Sequence, residues 1–152
     1  DYLVDLAHHE LLEYDIRNDH RGGEAPTGLD LALDKPLRFD SAARLMRYDY
    51  AVHRLPAGTD DTSAPQQVPT RLLVYRDPKS SVRYLELTPL AHAVLEQLME
   101  HGLAVAAGLQ AACATLGEPL DDDRLATTAT LLADLAERGV LLGAEPDAPP
   151  SA

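Results

Sequence analysis

The sequence predicts an α+β fold: an N-terminal helix followed by a winged-helix-like module of a β-hairpin, three helices and a short closing strand. Three observations predict it. Aromatic residues are only 5% of the chain, Trp is absent, and Ala and Leu dominate, which favours helices over an all-β fold. Two strand-like runs, 71–76 and 82–87, flank Asp77-Pro78-Lys79-Ser80-Ser81. Pro pre-sets a turn dihedral there, and Asp and Ser bond back to the backbone. Beyond the hairpin come three apolar stripes at helical spacing, punctuated by Gly102, Gly117 and Gly139.

From the start of the chain, 1–19 reads as a helix. Leu3, Leu6, Ala7 and Tyr14 recur at helical spacing, with Asp5, Glu13 and Asp15 on other faces. Gly22, Gly23 and Pro26 make 18–28 a turn-rich connector. No clear pattern marks 29–40, and 41–46 reads as a short irregular turn. Large and small side chains alternate through Tyr48-Asp49-Tyr50-Ala51-Val52-His53, which predicts a strand ending before Pro56. The polar stretch 57–69 reads as a linker. The expected organisation is therefore an N-terminal segment 1–56, a linker 57–69, a compact module 70–143 and a Pro-rich, acidic, disordered tail 144–152.

Within the module, Val82, Tyr84 and Glu86 lie on one face of the second strand, with Arg83, Leu85 and Leu87 on the other. Thr88-Pro89 is a helix start, an N-cap hydroxyl followed by Pro at the first helical position. The first stripe is Ala91, Val94, Leu95 and Leu98, and the second is Val105, Leu109, Ala112, Cys113 and Leu116. Asp121, Asp122 and Asp123 put negative charge at the positive end of the third helix, which is expected to bury Leu125, Ala129, Leu132, Leu135 and Ala136. Val140-Leu141-Leu142 would close the unit as a strand or wing.

Composition bounds the function. The 152 residues carry 25 acidic against 13 basic side chains, a formal charge of −12. That balance disfavours attraction to nucleic acid or to anionic membranes. No apolar run approaches the ~20 residues of a membrane span, and no signal-peptide pattern is present. The single Cys113 fits a reducing compartment and reads as a small core residue, so the expected location is the cytoplasm. A start at Asp1 rather than Met suggests that an N-terminal piece precedes this chain.

Hairpin and helix order invites a DNA-binding reading, but a recognition helix needs Arg, Lys, Asn or Gln at its exposed N-terminal end. Here that end is Asp121-Asp122-Asp123-Arg124, and from Glu86 onward only Arg124 and Arg138 oppose a run of carboxylates. Peptide capture by β-augmentation fits better. If the run 48–53 pairs with the other side of the hairpin, 82–87 becomes a free strand edge for an extended peptide. Thr127, Leu131 and Asp134 share a helix face off the core stripe and could line a groove beside it, although a scattered surface Leu explains Leu131 equally well. His8-His9-Glu10 is the densest set of potential metal ligands. Adjacent helical residues point about 100° apart, so His8 and His9 read as surface histidines and no metal, cofactor or catalytic residue is expected.

Two stretches carry a family likeness: Pro69-Thr70-Arg71-Leu72-Leu73-Val74-Tyr75-Arg76-Asp77, and Val82-Arg83-Tyr84-Leu85-Glu86-Leu87-Thr88-Pro89-Leu90-Ala91. They resemble the C-terminal domain of the HvfC/BufC-type peptide-modification chaperones, two-domain bacterial proteins long catalogued as DNA-binding. Leu6-Ala7-His8-His9-Glu10-Leu11-Leu12-Glu13 and Tyr48 to His53 look like that family too, with Ala51 where the family tends to have Pro. The resemblance implies a non-catalytic partner that presents a ribosomally made precursor peptide to a multinuclear, iron-dependent oxidative modifying enzyme, the iron belonging to the enzyme. The order from Arg71 to Leu142 is also similar to PqqD-like recognition elements, in which a leader peptide adds to the third strand and leans on the third helix. Carried onto this chain, the peptide site is Val82, Arg83, Tyr84, Leu85 and Glu86 with Thr127, Leu131 and Asp134. The first helix with Tyr14, Tyr48 and Tyr50 becomes a surface for docking the enzyme or a preceding domain. Two other readings stay open, a winged-helix transcriptional regulator whose DNA contacts lie in a preceding domain, and a dimerisation module using the same strand edge.

Overall fold

A computed structural model describes residues 1–55 and 64–147. In chain order its elements are α1 (Tyr2–Asn18), β1 (Leu37–Phe39), β2 (Arg44–Tyr48), a short 3-10 turn (Val52–Arg54), β3 (Thr70–Arg76), β4 (Val82–Glu86), α2 (Pro89–Leu95), α3 (Val105–Leu116), α4 (Asp122–Glu137) and β5 (Leu141–Ala144). A π-type turn, Glu96–Glu100, prolongs α2. The predicted α+β class is what the chain adopts, with hairpin, three helices and closing strand in the expected order.

β3 is the spine. It pairs antiparallel with β2 on one side and β4 on the other. Leu73 and Tyr75 face the helices α2 to α4, while Leu72 and Val74 face α1. All four are buried, so β3 reads as one apolar run, as expected of a strand covered on both faces. Each fully buried Leu contributes about 1.5–3 kcal/mol relative to exposure. The hairpin turn is built as its residue types predict. Asp77 Oδ1 accepts from the backbone N–H of Lys79 and Ser81, both at 2.9 Å, and Ser80 adopts a left-handed φ of 65°.

Helix boundaries follow local chemistry. Thr88 Oγ1 accepts from Ala91 N at 3.1 Å, with Pro89 at the first helical position. Asp121 caps α4 by accepting from Arg124 N at 2.9 Å, and Gly117 ends α3 with a φ of 66°. The helical core centres on Leu95, Leu98, Leu109, Ala112, Leu132 and Leu135.

Four expectations change. The strand expected at 48–53 ends at Tyr48 and begins at Arg44, inside the stretch expected to be a turn, which is confined to residues around Ser41 and Ala42. Pairing explains this: Tyr48 stands opposite Thr70, the first residue of β3, and the ladder runs out of partner strand there. Asp5 of α1 takes over, its carboxylate accepting from the N–H of Asp49 and Tyr50 at 2.8 and 3.1 Å. Second, α1 buries His9 and Ile16 and leaves Leu3 and Tyr14 exposed, because apolar residues line both of its faces. His9 is thus a core residue, not a surface one. Third, on α4 the buried residues are Thr128, Leu132 and Leu135, whereas Leu125, Ala129 and Ala136 are exposed, and Leu116 of α3 is partly exposed too. Fourth, 29–40 contains β1, which pairs with β5. That pairing keeps the closing strand off the hairpin sheet.

The N-terminal segment and the module are interleaved, since β2 completes the sheet of β3 and β4 and β1 holds β5. Residues 57–63 of the expected linker and 148–152 of the expected tail lie outside the described residues. Ala144 closes β5, and Glu145 and Asp147 pair with Arg38 and Lys35.

Candidate functional site

β4 is an edge strand. Leu87 N donates to Arg71 O at 2.9 Å, so residues 83, 85 and 87 turn their backbone groups toward β3. By the two-residue alternation of a strand, Val82, Tyr84 and Glu86 direct their N–H and C=O groups away from the sheet. Among the described residues nothing bonds to those outward groups. An edge of this kind can accept an extended chain as a further strand.

The side chains along the edge are held in place. The Tyr84 hydroxyl donates to Glu13 of α1 at 2.7 Å, and burial together with that carboxylate pushes the phenol pKa upward. Val82 packs with it against the α1 side, while Leu85 packs into the helical core. Arg83 Nε donates to Asp77 at 2.9 Å. Arg54 grips Glu86 with two bonds of 2.9 Å, and with His53 it holds the Glu86 carboxyl below its ordinary value. Beyond Glu86 a cleft of about 340 Å³ opens between Arg54, Gln66, Pro69 and Leu87.

The helix half of the expected groove is less uniform. Thr127 is exposed, Leu131 is half-buried against the helical core, and Asp134 is bonded to Arg138 Nε at 3.0 Å. Leu85 and Leu131 pack against the same core cluster, but β4 packs chiefly on β3 and α1, and α4 on β5 and α2. The three tyrosines do not share a surface. Tyr14 is 64% exposed, Tyr48 is 4% exposed, and Tyr50 is half-buried with its ring edge-on to Tyr2.

One cluster escaped the sequence. The His9 ring lies between Tyr48 and Tyr84, at centroid distances of 5.5 and 4.9 Å. His9 Nδ1, Tyr48 OH and His53 Nδ1 are buried with no hydrogen-bond partner among the described residues. Burial pushes the Tyr48 phenol up to about 12, with Asp5 adding to the shift. His8-His9-Glu10 marks the place in the sequence, yet only the packing of α1 shows which histidine turns inward. Among the described residues no three His, Cys, Asp or Glu side chains are placed to hold a metal ion. No described helix is long and apolar enough to cross a membrane.

A comparison with curated proteins gave no match. Residues 41–136 match the family described as the HvfC C-terminal domain, which takes in more than half of the chain. The match runs from just before β2 nearly to the end of α4, and so contains the sheet, its free edge and the helices behind it. On the strength of that match, the chain belongs to the HvfC C-terminal-domain family.

Proposed function

We propose that this chain is a non-catalytic, cytoplasmic accessory protein that binds a ribosomally made precursor peptide along β4 and presents it to an iron-dependent oxidative modifying enzyme. The observation that carries the reading is the unpaired row of backbone groups on Val82, Tyr84 and Glu86 at the edge of a rigid sheet. Arg83, Leu85, Thr127, Leu131 and Asp134 supply side-chain choice, and backbone pairing supplies affinity. The enzyme docks on the outer face of α1, where Leu3, Val4, Leu11 and Tyr14 are all more than half exposed. Tyr48 and Tyr50 act beneath it by seating the helix. Charge supports a peptide rather than nucleic acid: three Asp residues open α4, and Arg124 is already bonded to Glu118 and Asp121 at 2.9 and 2.6 Å.

The test is a backbone amide shift titration with the leader region of a short peptide gene neighbouring this one. Saturable shifts along 82–87 that change little with salt support the reading. A second peptide, N-methylated at alternate residues, then loses about 0.5–1.5 kcal/mol per blocked bond. Equal binding of both peptides, or shifts that track protein concentration without peptide, would remove β-augmentation by a leader.

A further inference from the structure

Apart from Leu116 and Leu120 between α3 and α4, the large apolar side chains left exposed among the described residues fall in two places, the outer face of α1 and a region around Leu29, Leu31, Leu33 and Leu125. The second is a built feature. Residues 27–33 cross the helical unit without regular secondary structure, fixed by three backbone bonds: Thr27 N to Leu142 O at 2.8 Å, Ala144 N to Leu29 O at 3.3 Å, and Ala106 N to Leu33 O at 2.8 Å. This strap stands off α4. Between them Leu31, Leu33, Val105, Leu125, Ala129 and Leu132 enclose an open cleft of about 180 Å³ with an apolar lining. A cavity of ~150 Å³ holds one benzene-sized group, and pockets for whole small molecules start near ~300 Å³. The cleft therefore suits a single inserted side chain, not a cofactor.

Its rim is charged with one sign. Asp30 and Asp34 flank the leucines of the strap, and Asp122 lies on the helix face of Leu125 and Ala129, one and two turns before them. Among the described residues none of these three carboxylates has an ion pair or a side-chain hydrogen bond. The neighbouring cations are taken, Lys35 by Asp147 and Arg124 by Glu118 and Asp121. The missing complement is a positive charge on an incoming chain.

We propose that this cleft docks a partner protein through one apolar side chain of Leu or Phe size flanked by Lys or Arg. A second copy of the chain would bring the same carboxylates to the same place and be repelled. The cleft lies on the opposite side of α4's buried stripe from Thr127, Leu131 and Asp134, so this surface is independent of the β4 reading.

The test uses the labelled full chain and two short acetylated peptides. One has a central Leu-Phe pair flanked on each side by Lys-Arg, and the other has Glu at every basic position. The basic peptide should give saturable amide shifts at Leu31, Val105, Leu125 and Ala129, and the acidic one none. Ala129 is exposed, so Ala129→Arg is tolerated; by plugging the cleft it should weaken binding about tenfold, roughly 1.4 kcal/mol. Asp30→Asn with Asp34→Asn should weaken it severalfold while leaving the fold intact. Equal binding of both peptides, shifts indifferent to Ala129→Arg, no shifts at all, or self-association through this face would each overturn the proposal.

Discussion

Arg76 gives its guanidinium to the carbonyl oxygens of Ile16, Asp19 and Arg21 at 3.1, 2.9 and 2.8 Å, and so ties the C-terminus of α1 to the central strand. A lysine cannot reproduce that planar fork. Arg76→Lys should cost about 2 kcal/mol in a denaturant melt, because charge-assisted bonds are lost and carbonyls are left unpaired. Midway along the same helix, His9 is buried with no partner for Nδ1 among the described residues. Burial holds the His9 imidazole below its ordinary value; Glu13 and Glu10 oppose this, and His53 adds to it. His92 is lowered in the same way. The unfolded chain then takes up protons that the folded chain refuses once the pH falls below the ordinary histidine value of 6.5. Stability is complete above that value and declines below it. His9→Phe removes the orphaned nitrogen, so at neutral pH it should be neutral or stabilising by about 1 kcal/mol and should flatten part of the acid-side decline. A variant that melts much earlier at neutral pH would show that His9 is satisfied by something else.

Elements carry the next two predictions. Gly143 of β5 sits beneath the strap with a φ of 129°, and an added Cβ would stand 2.3 Å from Thr27 Oγ1 and 2.8 Å from Leu29 O. The Leu29 carbonyl cannot yield without breaking the strap, so Gly143→Ala should cost about 2 kcal/mol or more and speed amide exchange at Leu29 and Ala144 while sparing the β3–β4 ladder. On α1, Leu11→Asp with Tyr14→Asp alters only the outer face. It should abolish enzyme association in a pull-down and leave peptide-induced shifts on β4 unchanged; loss of both would mean that α1 had come off the sheet. This helix also shows what the sequence conceals. Its hydrophobic spacing has two solutions, one through Leu3 and Tyr14 and one through His9 and Ile16, and local pattern cannot choose between them. The hairpin was legible because turn chemistry and alternation agree, and α2, α3 and α4 because Thr88, Gly117 and Asp121 mark their ends. The three-residue β1 was not, since its partner lies about a hundred residues further along and leaves no local signature. The outward phase of Val82, Tyr84 and Glu86 was legible, whereas the packing of Leu131 into the core needed the tertiary structure.

At the scale of the whole molecule, the net charge of −12 works against compaction. The ion pairs present are mostly exposed, and such pairs contribute about 0–1 kcal/mol each. The expected balance is that self-repulsion outweighs them. Raising NaCl from about 20 to about 300 mM, which shortens the screening length well below ~10 Å, should raise the melting temperature by a few degrees. A fall would mean that the pairs matter more than the excess charge. The same balance predicts no retention of duplex DNA near physiological salt, and retention that fades steeply with salt would restore the regulator reading.

The pairing of β1 with β5 also sets a timetable. A ribosome adds about 5–20 residues per second, so Leu37 and Phe39 emerge roughly 5–20 s before the strand that receives them. The strap waits equally long for Leu142 and Ala144. Through that interval the nascent chain can assemble the three-stranded sheet and α2 to α4, yet it presents an uncovered apolar flank until β5 is made. The fold is thus completed from β5 backwards, and any factor that attends the nascent chain has that flank to hold.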